Sequence, residues 1–243
     1  MKTLAFLTAE WRHLVMLNYA AEPDLLRPFV PLGTELDFFE GETFLSLVGF
    51  RFLRTRVLGL AFPFHTDFEE VNLRFYVRRR VLGEWRRGVV FLREIVPRRA
   101  IAFLARTFYG EPYVALPMQS EVADSHGDLR IRYAWKCAGR WHSLLASARG
   151  DPAPIQAGSG EEFITEHYWG YNRRRGGSCE YQVEHPRWRV WATSSVGMDC
   201  DVAQVYGAPF ASTLSAPPAS SFIADGSAVV VRSGRMVGPG QVG

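Results

Sequence analysis

From Phe68 to Arg78 apolar and polar positions alternate, with Val71, Leu73, Phe75 and Val77 on one face of an extended chain and Glu70, Asn72, Arg74 and Tyr76 on the other. That period of two predicts a strand. Its polar row has two fates: in a sheet with one wet face it meets water, and in a strongly curved or closed sheet it lines the interior. Side chains two apart on one face stand about 7 Å apart, and Glu70 and Arg74 about 13 Å. They cannot pair directly along one straight strand. An inward row therefore needs partners from other strands or from a ligand, because a buried unpaired charge is costly.

The remaining pattern is mostly strand. Trp11 to Tyr19 is an apolar run, and Pro23 opens a short helix that Pro28 and Pro31 end. Leu36 to Phe39 and Phe44 to Leu53 predict a hairpin about Glu40-Gly41-Glu42, its second strand apolar on both faces. A polar turn at Gly83 to Gly88 leads to a return strand, Val89 to Val96. After Pro97, Ile101, Leu104, Ala105 and Phe108 have the i, i+3, i+4, i+7 spacing of a helix over Arg98 to Tyr109, stopped by Gly110. Arg106 falls in its last turn, where a cation complements the helix dipole or reaches a pocket.

Leu129 to Lys136 and Trp141 to Ser147 form a second expected hairpin. Asp151 to Gly160 reads as a loop, and Ser159 and Glu162 have capping-box spacing. A strand from Ser178 to His185 places Cys179, Tyr181, Val183 and His185 on one face, and Trp188 to Ala192 continues after Pro186. Asp201 to Tyr206 is helical, and Ser221–Ala224 with Ala228–Arg232 is a terminal hairpin. The expectation is one α+β domain over residues 1–235, mainly an antiparallel curved sheet or closed β-barrel with a few short peripheral helices. Residues 236–243, rich in Gly, are expected to be a flexible tail.

Composition narrows the function classes. With 243 residues, 47% of them hydrophobic and 14% aromatic, the chain has ample material for one core. The net charge is only +3, and 26 of the 28 basic residues are arginine. Runs such as Arg78-Arg79-Arg80 and Arg173-Arg174-Arg175 occur without a nucleic-acid reader motif, so no nucleic-acid partner is expected. Three cysteines without C-x-x-C spacing suit a reducing compartment. The N-terminal apolar run stops by Thr8 and Glu10, and no 18-residue apolar stretch follows. A cytoplasmic protein with no membrane partner is expected, with a homo-oligomer left open.

The stretch Ala105 to Val114 holds an Arg106-x-x-x-Gly110-x-Pro112 pattern that resembles the signature of the acetoacetate decarboxylase-like superfamily. In the decarboxylases two lysines follow; here Tyr113 and Val114 stand in their place. FEEVNLRFYV from Phe68, FLREIVPRRAIAFLAR, EHYWGY, VEHPRW and the closing ADGS are similar to the narrower YqjF-like domain-of-unknown-function family, over roughly Trp11 to Arg232. The resemblance implies the decarboxylase scaffold and pocket, with Glu70 matching a strand-borne acid near the decarboxylase lysine. It does not carry over the imine chemistry. An imine needs an amine of depressed pKa in an apolar pocket, and the chain's two lysines, Lys2 and Lys136, lie away from the motif. Tyrosine offers a hydrogen bond or a general acid instead.

The candidates that follow are Glu70, Tyr113 and His185 for acid–base work, and Arg74, Arg106, Asn72, His167, Tyr171 and Trp188 for binding. The ligand class is a small organic acid or carbonyl compound, with an arginine on its oxyanion and aromatics giving shape. A lyase or hydrolase using general acid–base chemistry is the alternative, and a filled, non-catalytic interaction protein a third. The Glu166-His167 and Glu184-His185 pairs, with Glu70, keep metal binding among the readings, but no metal and no cofactor is assigned.

Overall fold

The computed structural model describes residues 4–100, 102, 110–125 and 127–238. Among them the strands are β1 (Ala5–Ala21), β2 (Glu35–Leu36), β3 (Thr43–Val57), β4 (Phe68–Val81), β5 (Glu84–Val96), β6 (Tyr113–Ala115), β7 (Met118–Ser125) and β8 (Asp128–Cys137). There follow β9 (Arg140–Arg149), β10 (Ala153–Pro154), β11 (Trp169–Arg174), β12 (Gly177–Glu184), β13 (Arg189–Asp199), β14 (Ser220–Arg232) and β15 (Arg235–Val237). They form one large curved sheet in the order β15-β12-β11-β5-β4-β3-β1-β14-β13-β9-β8-β7. The sheet is mixed, since β5 runs parallel to both β6 and β11. Two residues of β12 also pair with β14, Val183 with Val231 and Glu184 with Val230, so the path from β12 through β5, β4, β3 and β1 to β14 returns on itself. Short helices at Pro23–Leu26, Gly160–Thr165, Val202–Val205 and Ala211–Ser215 lie about it.

The curl decides the fate of the alternating row. Val71, Leu73, Phe75 and Val77 pack with Leu45, Leu47, Tyr133 and Trp135 in a core between the sheet and the β8–β9 layer. Tyr76 turns the other way and joins Val48, Phe50, Phe52, Phe163 and Trp188. Glu70, Asn72 and Arg74 share its face and are buried. The row therefore points into the curl rather than to water. β3 is apolar on both faces for the same reason: each face meets one of the two cores.

Several local expectations are corrected. The hairpin about Glu40-Gly41-Glu42 shrinks to a turn closed by Phe39 and Glu42, and β2 pairs with β4 instead of β3. Leu36 is thereby buried, and Asp37 is directed at Arg87 and His167. The turn after β4 is tighter than Gly83 to Gly88, because Leu82 and Gly83 both take positive φ and leave Glu84 to begin β5. The terminal hairpin is one unbroken strand, β14. Asp225-Gly226 looks like a turn in sequence, but Gly226 takes φ of 79° beside β1. A Cβ there would stand 2.0 Å from the Trp11 carbonyl oxygen, so this close approach accepts only glycine.

Strand β15 reaches Val237, two residues into the stretch read as a tail, and pairs with β12. The second expected hairpin, β8–β9, and the cap of Glu162 N–H by the Ser159 hydroxyl form as read. Glu162 itself reaches the Gly158 N–H. Most of the expected Arg98–Tyr109 helix, with Arg106, lies outside the described residues, as do 239–243. No helix among the described residues is long and apolar enough to cross a membrane.

Candidate functional site

The curl encloses a cavity of about 120 Å³, several times what one water molecule needs. Trp11, Leu14, Phe50, Phe52, Phe68 and Trp188 form much of its wall. Into this apolar space project Glu70, Asn72 and Arg74 from β4, Glu94 from β5, Glu111 and Tyr113 at the start of β6, and Tyr181 from β12. His167 and His185 line it as well.

One end is acidic. Glu70 accepts hydrogen bonds from Asn72 Nδ2 at 2.9 Å and from the Tyr113 hydroxyl at 2.9 Å. Glu111 accepts one from the Tyr181 hydroxyl at 2.7 Å. Glu94 lies opposite Asn72 in the β4–β5 ladder, and among the described residues neither its Oε2 nor Glu111 Oε2 has a hydrogen-bond partner. All three carboxyls are buried. Burial pushes Glu70 up to about 7, against the Asn72 and Tyr113 hydrogen bonds and the attraction of Arg74. Burial likewise pushes Glu111 up to about 7, against hydrogen bonds from Tyr181 and Asn172. Glu94 goes well above the carboxylate range, through burial first and then the neighbouring Glu111 and Glu70. Burial and these same acids raise Tyr113, so its phenol keeps the proton it donates. Near neutral pH this end stores protons.

The other end is basic in a different way. Arg74 is buried, donates to the Ile164 carbonyl at 3.4 Å, and lies over the Tyr76 ring. Among the described residues no carboxylate is within ion-pair distance of it, and its Nε has no partner. His167 pairs through Nε2 with Asp37 Oδ2 at 3.1 Å, and Asp37 also accepts from Arg87 at 2.7 Å. Burial pulls His167 down to about 4 even so, so it is neutral at pH 7, and among the described residues its Nδ1 has no partner. His185 donates from Nδ1 to the Pro186 carbonyl at 2.9 Å and stacks on Trp188 at 4.2 Å, which leaves Nε2 as an acceptor.

Of the residues singled out in the sequence, Glu70, Asn72, Arg74, Tyr113, His167, His185 and Trp188 meet around the cavity. Tyr171 does not. It is buried in the other core, where its hydroxyl donates to Glu180 at 3.0 Å, a carboxylate also held by Arg79, Arg86 and Arg235. Arg106 lies outside the described residues. The two histidines serve separate partners, and no three His, Cys, Asp or Glu side chains among the described residues are arranged to hold a metal ion. Glu94, Glu111, Tyr181 and Asp37 were not picked out from sequence. Glu111 carried a signal, as the residue between Gly110 and Pro112 of the motif. Lys136 is exposed on β8, away from the cavity.

Solved structures share this architecture. Acetoacetate decarboxylase from Legionella pneumophila is 15% identical, with a TM-score of 0.66 over 96% of this chain and 87% of that one. The enduracididine biosynthesis enzyme MppR complexed with pyruvate is 15% identical, with a TM-score of 0.69 over 97% and 91%. An acetoacetate decarboxylase-like enzyme from Sphingomonas wittichii RW1 aligns with a TM-score of 0.67 at 11% identity, over 97% and 94%. At such identities the likeness is one of fold. In sequence, the uncharacterized protein YqjF of Bacillus subtilis (strain 168) is 28% identical over 182 residues, 73% of this chain and 72% of YqjF. The DUF2071 model, described as an uncharacterized conserved protein, matches residues 8–228, and the chain belongs to that family.

Proposed function

We propose that the cavity binds a small organic acid or carbonyl compound, with the ligand's oxyanion on Arg74 and its apolar body against Trp11, Phe50, Phe52, Phe68 and Trp188. The observation that carries this reading is Arg74: a buried guanidinium without a carboxylate partner among the described residues, facing an apolar cavity. Burying a cation this way is costly unless an anion joins it, and a planar guanidinium suits a carboxylate. MppR, of the same fold, is described with pyruvate bound, which supports this ligand class. Tyr113 at the motif position cannot form an imine, so the binding proposed involves none at that residue.

Calorimetry with pyruvate and with butyrate tests the proposal. At least one is expected to bind in the millimolar range or better. Arg74→Gln is expected to weaken it by about tenfold or more, the loss of one charge-assisted hydrogen-bonded pair. Absence of binding by any small carboxylate would sink it.

A second reading rests on Glu70. A carboxyl at about 7, hydrogen-bonded to a protonated phenol, is matched to general acid–base chemistry near neutral pH. It would exchange the carbon-bound proton beside a ligand carbonyl as a lyase does. Proton NMR of 2-oxobutyrate in D₂O reads this directly: loss of the C3 proton signal with the wild type, and none with Glu70→Gln. Equal exchange in both would refute it.

A further inference from the structure

The acidic end of the cavity has a hydrogen-bonding imbalance that a simple carboxylic acid does not correct. Three atoms there are buried and, among the described residues, unpartnered: Glu94 Oε2, Glu111 Oε2 and Asn72 Oδ1. Their side chains all line the cavity. The hydroxyl donors beside them are already engaged, Tyr113 with Glu70 and Tyr181 with Glu111. Asn72 Nδ2 points at Glu70, so its carbonyl oxygen is turned away with nothing to accept. Orphaned buried polar groups cost free energy unless a partner arrives.

Three kinds of partner can be weighed. A metal ion fails on geometry, because the acids are not arranged as a ligand set. A carbonyl oxygen can accept a proton from Glu94 or Glu111 but offers nothing to Asn72 Oδ1, which only accepts. A nitrogen carrying several N–H groups satisfies all three at once. It also brings a positive charge to a cluster of acids whose cavity is lined, among the described residues, by one arginine, Arg74, and no lysine. Arg74 does not supply that charge in this structure: its guanidinium is turned to the Ile164 carbonyl and lies over the Tyr76 ring, and among the described residues no carboxylate is within ion-pair distance of it.

Both ends of one cavity are thus unsatisfied, and among the described residues they do not pair with each other. We propose that its ligand is a zwitterion with separated charges, a carboxylate on Arg74 and a primary ammonium or amidinium among Glu94, Glu111 and Asn72. The chemical class is an ω-amino acid with a short apolar chain between its charges. The carboxylate half rests on the function proposed above; the cationic half rests on the three unpartnered oxygens.

The groups that face the arriving nitrogen are Glu70 and Asn72 on β4, Glu94 on β5, Glu111 and Tyr113 about β6, and Tyr181 on β12, with Arg174 and Asn172 of β11 acting on Glu111. Apart from Arg174 the charged members are acids, and burial raises all three, Glu70 and Glu111 to about 7 and Glu94 well above the carboxylate range, so the cluster retains protons at pH 7. A cation entering the cluster favours their ionised forms, so binding is coupled to proton release.

Calorimetry of the full chain at pH 7 with hexanoate, 2-oxohexanoate and 6-aminohexanoate, in two buffers of different ionisation heat, reads both affinity and protons. The expected result is 6-aminohexanoate binding at least about tenfold tighter than hexanoate, with release of roughly one proton per ligand. Glu94→Gln, checked for folding by its urea midpoint, is expected to reduce that ratio. If hexanoate or 2-oxohexanoate binds and 6-aminohexanoate binds no tighter, the zwitterion is wrong and the carboxylate pocket stands. If none of the three binds at millimolar concentration, both are wrong.

Discussion

Replacing Glu70 by glutamine should make the protein more resistant to denaturation at pH 8 while changing little at pH 4.5. Glu70 is fully buried, and its carboxyl is displaced upward from the ordinary 4.5 to about 7. The folded state therefore holds a proton over a pH range in which the unfolded chain has released it. The stabilisation is complete below 4.5 and is lost as pH rises through 7. At about 1.4 kcal/mol for each pH unit, the loss attributable to Glu70 is about 3 kcal/mol. The whole protein's curve will not display it cleanly. His167, pulled down from 6.5 to about 4, acts in the opposite sense: its contribution is present above 6.5 and is lost as pH falls towards 4. The two slopes overlap and partly cancel between pH 4.5 and 6.5. The quantity to measure is the difference between Glu70→Gln and wild type, by urea unfolding followed by circular dichroism at pH 4.5, 6, 7 and 8. Glutamine keeps an acceptor for Asn72, so any fixed offset is separated from the pH-dependent part. The variant should gain about 3 kcal/mol on wild type from pH 4.5 to pH 8. A difference that is flat with pH, or that falls, would mean Glu70 is ionised in the folded protein, and the protonated-cluster reasoning would be refuted.

The other predictions concern neighbours of that cluster. His167 should stay neutral, with its proton on Nε2 facing Asp37, down to about pH 5; ¹⁵N NMR showing titration near 6.5 would contradict the burial that displaces it. Gly170→Ala should cost roughly 3 kcal/mol, because the new methyl would stand 2.1 Å from the Tyr181 ring. It should also move the Tyr181 hydroxyl off Glu111, so weaker binding of 6-aminohexanoate should accompany a lower unfolding midpoint; unchanged values of both would show that the contact is not restrictive. Borohydride in the presence of pyruvate should leave no stable adduct, since Lys136 is exposed and remote from the cavity. Mass spectrometry finding Lys136 labelled would overturn that.

How much of this was legible in the sequence depends on whether a signal was local. The period-two row on β4 was, and with it the grouping of Glu70, Asn72 and Arg74. What the row could not say was which way it faced, because that depends on the distant contacts that curl the sheet, such as Val183 with Val231. Tyr113 was legible through the motif. Asp225-Gly226 misled because the same dipeptide serves a turn and a close backbone approach, and only the partner strand distinguishes them. His185 was expected to extend β12, yet Pro186 ends the ladder at Glu184 and turns the ring onto Trp188.

Glu94 shows most clearly where local reading stops. The Leu82-Gly83 turn sets Val81 opposite Glu84, and that register runs unbroken to Arg74 opposite Phe91. Carried two residues further it would set Arg93 opposite Asn72, inside the cavity, and send Glu94 to the outer core with Val71. Instead the ladder slips between Arg74 and Leu73: Leu92 is left over, Leu73 meets Arg93, and Asn72 meets Glu94. One extra residue exchanges the two faces of everything beyond it. The bulge therefore determines the electrostatics of the site. With it, the far end of the cavity holds three carboxyls that must share protons or find a cation. Without it, the same sequence would place a guanidinium beside Glu70, the acids would be ionised and paired internally, and no nitrogen-bearing ligand would be called for.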